Sequence, residues 1–516
     1  MDNNRLSKSK ILSGIQCHKR LWLETHRRDL AVVSPASQHI FRMGHLFGAK
    51  ARELMGPGEL IRHERDIRRS LADTPAALER ASTAGTTVYE AAFSYQDVVS
   101  RADAFSPYLG GWHMTEFKAS TTSKEYFYLD CAIQTWVAEG AGYPVTKVTL
   151  AYINNAFIYP GNGAYSGLLQ TEDVTGKVSD LKVSLDGLVE ELRAMLAQPE
   201  PRIRTGEQCS KPYECPFIAY CRSNEPPNPE FPVEVFRQPL ARLLRQIGYR
   251  DARGVPEMYL KDAREQRVLR SLDAPAVSVD AVDRSLLRAM PYPRHFLDFE
   301  TVSSPVPMWA GTRPYQSVPF QFSCHTETET EPGILVHNEF MDVSGNSPAK
   351  EFARRLIETV GTKGVIVVYS SFEQGRIEDL CKLVPEYRQE LRDIASRLFD
   401  LLPVVRRAYY HPTLQGSYSL ERLAPTACPD LNYSDLNAVM DGGAAQRAWW
   451  ELSSPDTPPA RHRQLVDDLL RYCHVDTLSL AAVYRAMEHG RAVTLVELGE
   501  RPTHTSNVIF SATRHV

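Results

Sequence analysis

Asp298 and Glu300 stand two residues apart in the run Phe296-Leu297-Asp298-Phe299-Glu300. Alternate residues of a β-strand share a face, so a strand here sets the two carboxylates side by side. The apolar residues Phe296, Leu297 and Phe299 mark that strand as otherwise buried. Buried carboxylates in contact repel each other and are costly without a cation. Far downstream, Tyr472 and Asp476 are one helical turn apart in Leu-Leu-Arg-Tyr-Cys-His-Val-Asp and share a helix face. Between the two sites, Val365-Ile-Val-Val-Tyr-Ser-Ser-Phe-Glu373 reads as a buried strand running into a helix, with Glu373 near the helix N-terminus.

A second constellation lies in the first half. Asp103 falls in one predicted strand, and Glu116 and Lys118 in the next as Glu-Phe-Lys. Glu116 and Lys118 then project together, with Phe117 turned into the opposite layer. Two carboxylates and a lysine suit metal-assisted hydrolysis. The carboxylates hold a hard divalent cation, the cation activates water, and the lysine orients or deprotonates that water. Gln134 on the following helix and the Gly44-His45 pair on the preceding one are further candidates for the same centre.

Cysteine is unevenly spread. Cys209, Cys215 and Cys221 crowd into Cys-Ser-Lys-Pro-Tyr-Glu-Cys-Pro-Phe-Ile-Ala-Tyr-Cys, and Cys17 stands near the N-terminus. Nine cysteines in a long chain do not read as a disulfide framework, whereas a local trio beside prolines points to metal or redox chemistry. The scattered Cys131, Cys324, Cys381, Cys428 and Cys473 read as ordinary buried thiols.

The elements that must position these residues follow from periodicity. A helix is predicted over 36–55, with Ile40, Phe47, Ala51 and Leu54 on one face. Strands follow over 87–93, 98–105 and 112–120, then a helix over 124–141 and a strand over 147–153. The Pro- and Asn-rich run Ser223–Pro232 marks a boundary, after which 233–285 is polar and helical. From about 290 short β-rich runs reappear, followed by amphipathic stretches over 348–361, 372–395 and 463–488. The expected organisation is therefore a first domain over 1–225, a helical linker over 226–290, a second domain over 291–490 and a tail over 491–516. Residues 1–28 read as a basic arm with seven Lys and Arg, and Arg406, Arg407, Tyr409, Tyr410 and His411 could contact phosphate and stack on bases.

The order His45, Asp103, Glu116-Phe-Lys118, Gln134, then a late cysteine trio resembles the RecB-like branch of the PD-(D/E)XK nucleases, which includes CRISPR-associated iron–sulfur nucleases and the AddB nuclease domain. The resemblance implies that His45, Asp103 and Glu116 bind Mg2+ or Mn2+, that Lys118 serves the attacking water, and that Gln134 helps with positioning. It implies too that Cys17, Cys209, Cys215 and Cys221 hold a [4Fe–4S] cluster, stapling the N-terminus to the end of the domain. Many relatives carry a C-x2-C pair where this chain has C-x5-C, which leaves zinc as the alternative.

The second half resembles the DnaQ-like, or DEDD, 3′–5′ exonucleases on an RNase H-like fold. That implies two Mg2+ or Mn2+ ions held by Asp298, Glu300, Glu373 and Asp476, with Tyr472 positioning water. The second motif of that family usually carries Asp; here Glu373 reaches the metal, or Asp379 replaces it, or the site is weakened. The pairing resembles a bacterial family in which a RecB-like nuclease domain with an iron–sulfur motif precedes a DnaQ-like domain of unknown function, over roughly 5–220 and 290–490. The fold class expected is α/β, with a restriction-endonuclease-like domain followed by an RNase H-like domain.

Composition excludes several classes. The 516 residues, 43% hydrophobic and 24% charged, fit a globular protein rather than a disordered chain or a fibre. No stretch approaches the roughly 18 apolar residues of a membrane helix, and the start lacks a signal-peptide core, so a cytoplasmic protein without a membrane partner is expected. A net charge of -4 means that nucleic acid would be held by local basic patches. The expected function is a metal-dependent nuclease acting on DNA in repair, recombination or defence, with a helicase or another repair or defence protein as a candidate partner, since the chain has no Walker loop. The alternatives are an RNA exonuclease and an iron–sulfur nucleic-acid-binding protein with one or both centres degenerate.

Overall fold

The computed structural model describes residues 5–62, 66–272, 281–431, 433, 436, 439–501 and 506–510. It divides into two compact units, Met1–Pro227 with Ser304–Tyr315, and Asn228–Ser303 with Gln316–Val516. Both are mixed α/β.

In the first unit, strands β1 (Leu6–Ser7), β2 (Gly58–Leu60), β3 (Thr87–Tyr95), β4 (Val98–Tyr108), β5 (Gly111–Lys118), β6 (Val145–Ile153) and β7 (Leu169–Asp173) form one sheet. Its order is β2-β3-β4-β5-β6-β7, with β1 paired to β4. The β3-β4-β5 steps are antiparallel, and the β5-β6 step is parallel. A parallel step needs a crossover, and the helix Glu125–Gly140 supplies it. Phe127, Ile133 and Val137 of that helix pack with Val98, Ala102 and Met114 on one face. Phe47 and Ala51 of the helix Pro35–Met55 cover the other face with Phe117 and Ile153. The pleat of β5 therefore sends Glu116 and Lys118 to one layer and Phe117 to the other.

The expected elements of this unit form within a few residues of their predicted ends, but two details differ. The buried stripe of the helix Pro35–Met55 is Met43, Phe47 and Ala51, while Ile40 is exposed, because the sheet meets the helix along the 43-47-51 line. The basic arm is largely spent inside the unit. Arg5 donates to Ser94 Oγ at 2.9 Å, Lys19 pairs with Glu200 at 2.9 Å, and Arg20 pairs with Glu24 at 2.9 Å.

The second sheet contains β8 (Arg294–Val302), β9 (Val318–Thr328), β10 (Glu331–Asp342), β11 (Val365–Val368), β12 (Leu398–Asp400), β13 (Glu500–Arg501) and β14 (Ser506–Ile509). Its order is β12-β11-β8-β9-β10-β13, with β14 also on β10. β8 is interior, parallel to β11 and antiparallel to β9. Its Leu297 and Phe299 pack with Phe352 and Leu356 of the helix Ala349–Val360. Phe296, on the opposite face, meets Tyr484 of the long helix Pro459–His489. Asp298 and Glu300 share that second face by alternation.

Four expectations for this half change. The stretch 372–395 is two helices, Phe372–Leu383 and Arg388–Ser396, separated at Pro385, whose missing amide stops the first. The linker region belongs with the second unit from Asn228 and has a core of its own, Val233, Phe236, Leu244, Val255 and Leu260 with Tyr410. The tail adds β13 and β14 in parallel to β10. Tyr409 and Tyr410 are buried, Tyr409 hydrogen-bonded to Thr426, and Arg407 pairs with Asp283, so the tyrosines offer no stacking platform. Among the described residues no helix is long and apolar enough to cross a membrane.

Phe352 is fully buried against Phe299, Phe322 and Phe340, all near edge-on. Phe352→Ala is expected to destabilise the second unit by about 3–5 kcal/mol, read as a lower midpoint in chemical denaturation.

Candidate metal centres

In the second unit, ligand oxygens of Asp298, Glu300 and Asp476 lie within 4.8 Å of one another. The interior strand β8 supplies the first two, and the helix packed on its face supplies the third. Glu300 and Asp476 are buried, and the groups acting on all three are other carboxylates, hydroxyls, a thiol and the backbone amide of Phe299. Burial first, then mutual repulsion, pushes their carboxyls well above the usual range. Tyr433 donates its hydroxyl to Asp476 Oδ1 at 2.6 Å, and Cys473 Sγ lies 3.8 Å from Asp298 Oδ2. Tyr472 is buried and stands near Asp476, one turn earlier on the same helix. Burial and the nearby carboxylates raise its phenol, so it stays protonated.

Glu373 opens the helix Phe372–Leu383 and is buried, and its Oε2 has no hydrogen-bond partner among the described residues. It is the leading charge acting on Asp298, although it stands outside the 4.8 Å group. Asp379 is taken up by ion pairs with Arg376 at 3.2 Å and Lys382 at 3.6 Å. Glu373 is thus the acidic neighbour of Asp298, in preference to Asp379.

The donor set fits a hard divalent cation: three clustered carboxylates with the orphaned Glu373 oxygen acting on Asp298, and no lysine or arginine paired to Asp298, Glu300 or Asp476 among the described residues. Sequence reasoning missed Tyr433, Cys473 and Asp441. Asp441 caps the helix Gly442–Leu452 by accepting from Ala444 N at 2.6 Å, and its charge acts on Glu300. Asp-Gly-Gly ahead of an apolar helix is a readable cap; Tyr433 carries no local signal.

The first unit builds a different centre. The β4-β5 ladder runs from Tyr108 and Gly111 to Ala104 and Thr115, and next to it Asp103 Oδ2 accepts from Phe117 N at 2.6 Å. Glu116 accepts from Gln134 Nε2 at 2.7 Å, Lys118 Nζ at 2.7 Å and Lys8 Nζ at 3.2 Å. Asp130 is ion-paired with Lys118 and, at 2.9 Å, with Lys8. Asp103, Glu116, Lys118 and Gln134 therefore come together, joined by Lys8 and Asp130. Asp130 sits one turn before Gln134 on the same helix, a spacing visible in sequence. Lys8 lies 108 positions from Glu116 and could not be foreseen.

Here three carboxylates face two ammonium groups. Burial raises the Asp103 carboxyl, and Glu116 adds to it. Burial opposes ionisation of Asp130, but Lys118 and Lys8 outweigh it and hold that carboxyl below the usual range. Burial also disfavours the Lys118 ammonium, but Asp130 and Glu116 outweigh it and hold its pKa well above the ordinary value. Lys118 is therefore a fixed cation, suited to orienting water rather than taking its proton. His45 is exposed on the helix Pro35–Met55, which packs on the face of Phe117, and makes no hydrogen bond or ion pair with Asp103, Glu116 or Lys118.

Cys17, Cys209, Cys215 and Cys221 line one small cavity with Leu23 and Phe217. Cys17 lies between the helices Lys8–Gln16 and His18–His26, and Gln16 Nε2 ties it to the trio by donating to Gln208 O at 2.6 Å and Tyr213 O at 2.7 Å. Burial raises the Cys221 thiol to about 11, and the other three cysteines act on it. All four are free thiols, and no three of their sulfurs lie within 4.8 Å of one another. A tetrahedral zinc site with Zn–S of about 2.3 Å would need sulfurs about 3.8 Å apart, so these thiols are not set as a closed zinc site holds them.

A protein-family model described as a domain of unknown function (DUF2779) matches residues 295–419. That span contains Asp298, Glu300 and Glu373 and ends before Tyr472 and Asp476. No match was found among curated proteins.

Glu373 is pushed from 4.5 up to about 7, chiefly by burial. A carboxyl raised on folding contributes stability that is present below about 4.5 and lost as pH rises through about 7. Glu373→Gln is therefore expected to stabilise the metal-free protein at pH 8 by on the order of 3 kcal/mol, at 1.36 kcal/mol per pKa unit, and to change little at pH 4. Unfolding midpoints in EDTA at the two pH values check this.

Proposed function

We propose that this chain is a metal-dependent nuclease with two hydrolytic centres, acting on DNA and proceeding from a 3′ end at the second. The observation that carries the reading is the convergence of Asp298, Glu300 and Asp476 under a helix that also delivers Tyr472. Unpaired buried carboxylates of this kind are stabilised by divalent cations, and a restriction-endonuclease-like domain followed by an RNase H-like one is the architecture consistent with both centres.

In the second centre Asp298, Glu300 and Asp476 would hold Mg2+ or Mn2+, with Glu373 as the fourth acidic group. When bound, the metal supplies activation of water and neutralisation of charge on the scissile phosphate. Tyr472, protonated and close to Asp476, orients the attacking water. Tyr433 fixes the Asp476 carboxylate from the other side. In the first centre Asp103 and Glu116 would hold the cation. Gln134 sets the Glu116 carboxylate, Lys118 orients water and steadies phosphate charge, and Lys8 must leave Glu116 for a cation to enter. His45 has no part in this reading. The four cysteines would hold a [4Fe–4S] cluster, a reading supported by their shared cavity.

The test is degradation of end-labelled single-stranded DNA and RNA by anaerobically purified protein, with Mn2+ or EDTA. The expected result is Mn2+-dependent shortening of DNA from its 3′ end. Asp298→Ala is expected to lower this by about 10^3-fold, the rate equivalent of several kcal/mol of charge stabilisation. Lys118→Ala should suppress the remaining cleavage without loss of binding. A double variant as active as the parent would refute both assignments. Cutting of RNA alone would make this an RNA exonuclease, and tight binding without cutting would make it a nucleic-acid clamp.

The protein purified without oxygen should be brown and contain iron and sulfide. Cys215→Ala should lose the colour and the iron and unfold at lower temperature; colourless protein with stoichiometric sulfur-bound zinc would replace the cluster by a zinc site.

A further inference from the structure

Away from the acidic oxygens, the second unit gathers three histidines, two of them buried, that the proposed hydrolysis does not use. His325 on β9 pairs across the sheet with His337 on β10. His474 comes from the helix Pro459–His489, and Glu500 from β13, which pairs with β10. The His325 and His337 rings stack with centroids 4.6 Å apart, and His474 stands edge-on to them at 5.0 and 4.4 Å. One ring nitrogen from each histidine lies within 4.8 Å of the other two. His325 and His337 are 0% and 2% exposed.

We propose that His325, His337, His474 and Glu500 form a binding site for a divalent transition-metal ion, with zinc the best chemical fit.

Four features of the geometry carry this. First, the outward nitrogens are already anchored. His325 Nδ1 lies 2.8 Å from Thr477 Oγ1, and His337 Nε2 lies 2.8 Å from Ser323 Oγ. The two hydroxyls also touch each other at 2.7 Å. Metal-binding histidines are held in this way, the second nitrogen tied to a polar partner that sets the tautomer and ring orientation. His325 Nε2 and His337 Nδ1 face the shared space, toward Glu500 Oε1 and His474 Nδ1.

Second, His337 Nδ1 and His474 Nδ1 approach to 3.3 Å. Two ligands about 2.0–2.1 Å from a tetrahedral zinc are about 3.3–3.4 Å apart, so this is the edge length such an ion requires. Third, Glu500 Oε1 is 3.0 Å from His474 Nε2 and 3.4 Å from His325 Nε2. With His474 facing the shared space through Nδ1, that carboxylate ties the opposite nitrogen of the His474 ring, as the hydroxyls do for His325 and His337, and sets a negative charge beside the site.

Fourth, the donors are of the right chemical type. A site of imidazoles and one carboxylate selects zinc and its neighbours over Mg2+ and Mn2+, which prefer all-oxygen sites such as the Asp298 cluster. An ion here would join β9, β10, β13 and the long helix, clamping the C-terminal segment onto the sheet.

The experiment is zinc loading of the full-length protein, followed by zinc-edge X-ray absorption and metal counting. The expected result is one equivalent of zinc with nitrogen and oxygen donors only. His325→Gln and His337→Gln should each remove that equivalent, whereas Asp298→Ala and Cys215→Ala should leave it. Ser323→Ala keeps every ligand and should weaken zinc binding by about 10–100-fold, which separates loss of the site from misfolding. No nitrogen-bound zinc in the parent would overturn the proposal. So would zinc held by sulfur alone, or an equivalent that survives both histidine substitutions in folded protein.

Discussion

Like charges held close together in a dry place set the terms for the second unit. Asp298, Glu300 and Asp476 present oxygens within 4.8 Å of one another. At an effective dielectric of about 20, two full charges at that separation repel by about 3 kcal/mol, so three ionised groups cost roughly 10 kcal/mol. That is comparable to the whole net stability of an ordinary domain. The arrangement therefore needs protons or cations, and the strongly raised carboxyl pKa values express the first solution. The rest of the unit is organised to impose the problem. An interior strand, with Phe299 packed below and Phe296 above, keeps its acidic side chains largely out of solvent, and a helix of 31 residues packs over them.

The first unit meets the same constraint in another way. Its carboxylates face Lys118 and Lys8, so most of the charge is already compensated within the protein. The electrostatic demand for a cation is correspondingly weaker there, and entry of one is coupled to displacement of a lysine from the first helix. The same N-terminal segment carries Cys17 to the cysteine cavity. Centre and cavity are thus tied to one short stretch of chain, which links the order of the cysteine region to the charge balance of the acidic one.

Donor chemistry separates the candidate sites. Oxygen donors gather at Asp298, thiols around Cys215, and imidazoles around His337. Hard, soft and intermediate ligands are therefore segregated, and each set would draw a different class of metal from a common pool.

The amino-acid sequence by itself determined much of what is local. Alternation placed Asp298 with Glu300, and Glu116 with Lys118, on shared strand faces; helix spacing placed Tyr472 with Asp476; and the strand and helix succession of the first unit was legible to within a few residues. Patterns of period 2 and 3.6 report which side chains share a face, because backbone geometry fixes that locally. What lies beyond the element was decided by tertiary structure. Lys8 beside Glu116, Tyr433 on Asp476 and the three histidines from β9, β10 and a distant helix meet only because sheet order and helix packing bring remote segments together. The same cause turned Tyr409 and Tyr410 from a candidate stacking surface into core, and left Ile40 and His45 on the exposed side of their helix. Periodicity states that a face is apolar or charged; only packing states what that face meets.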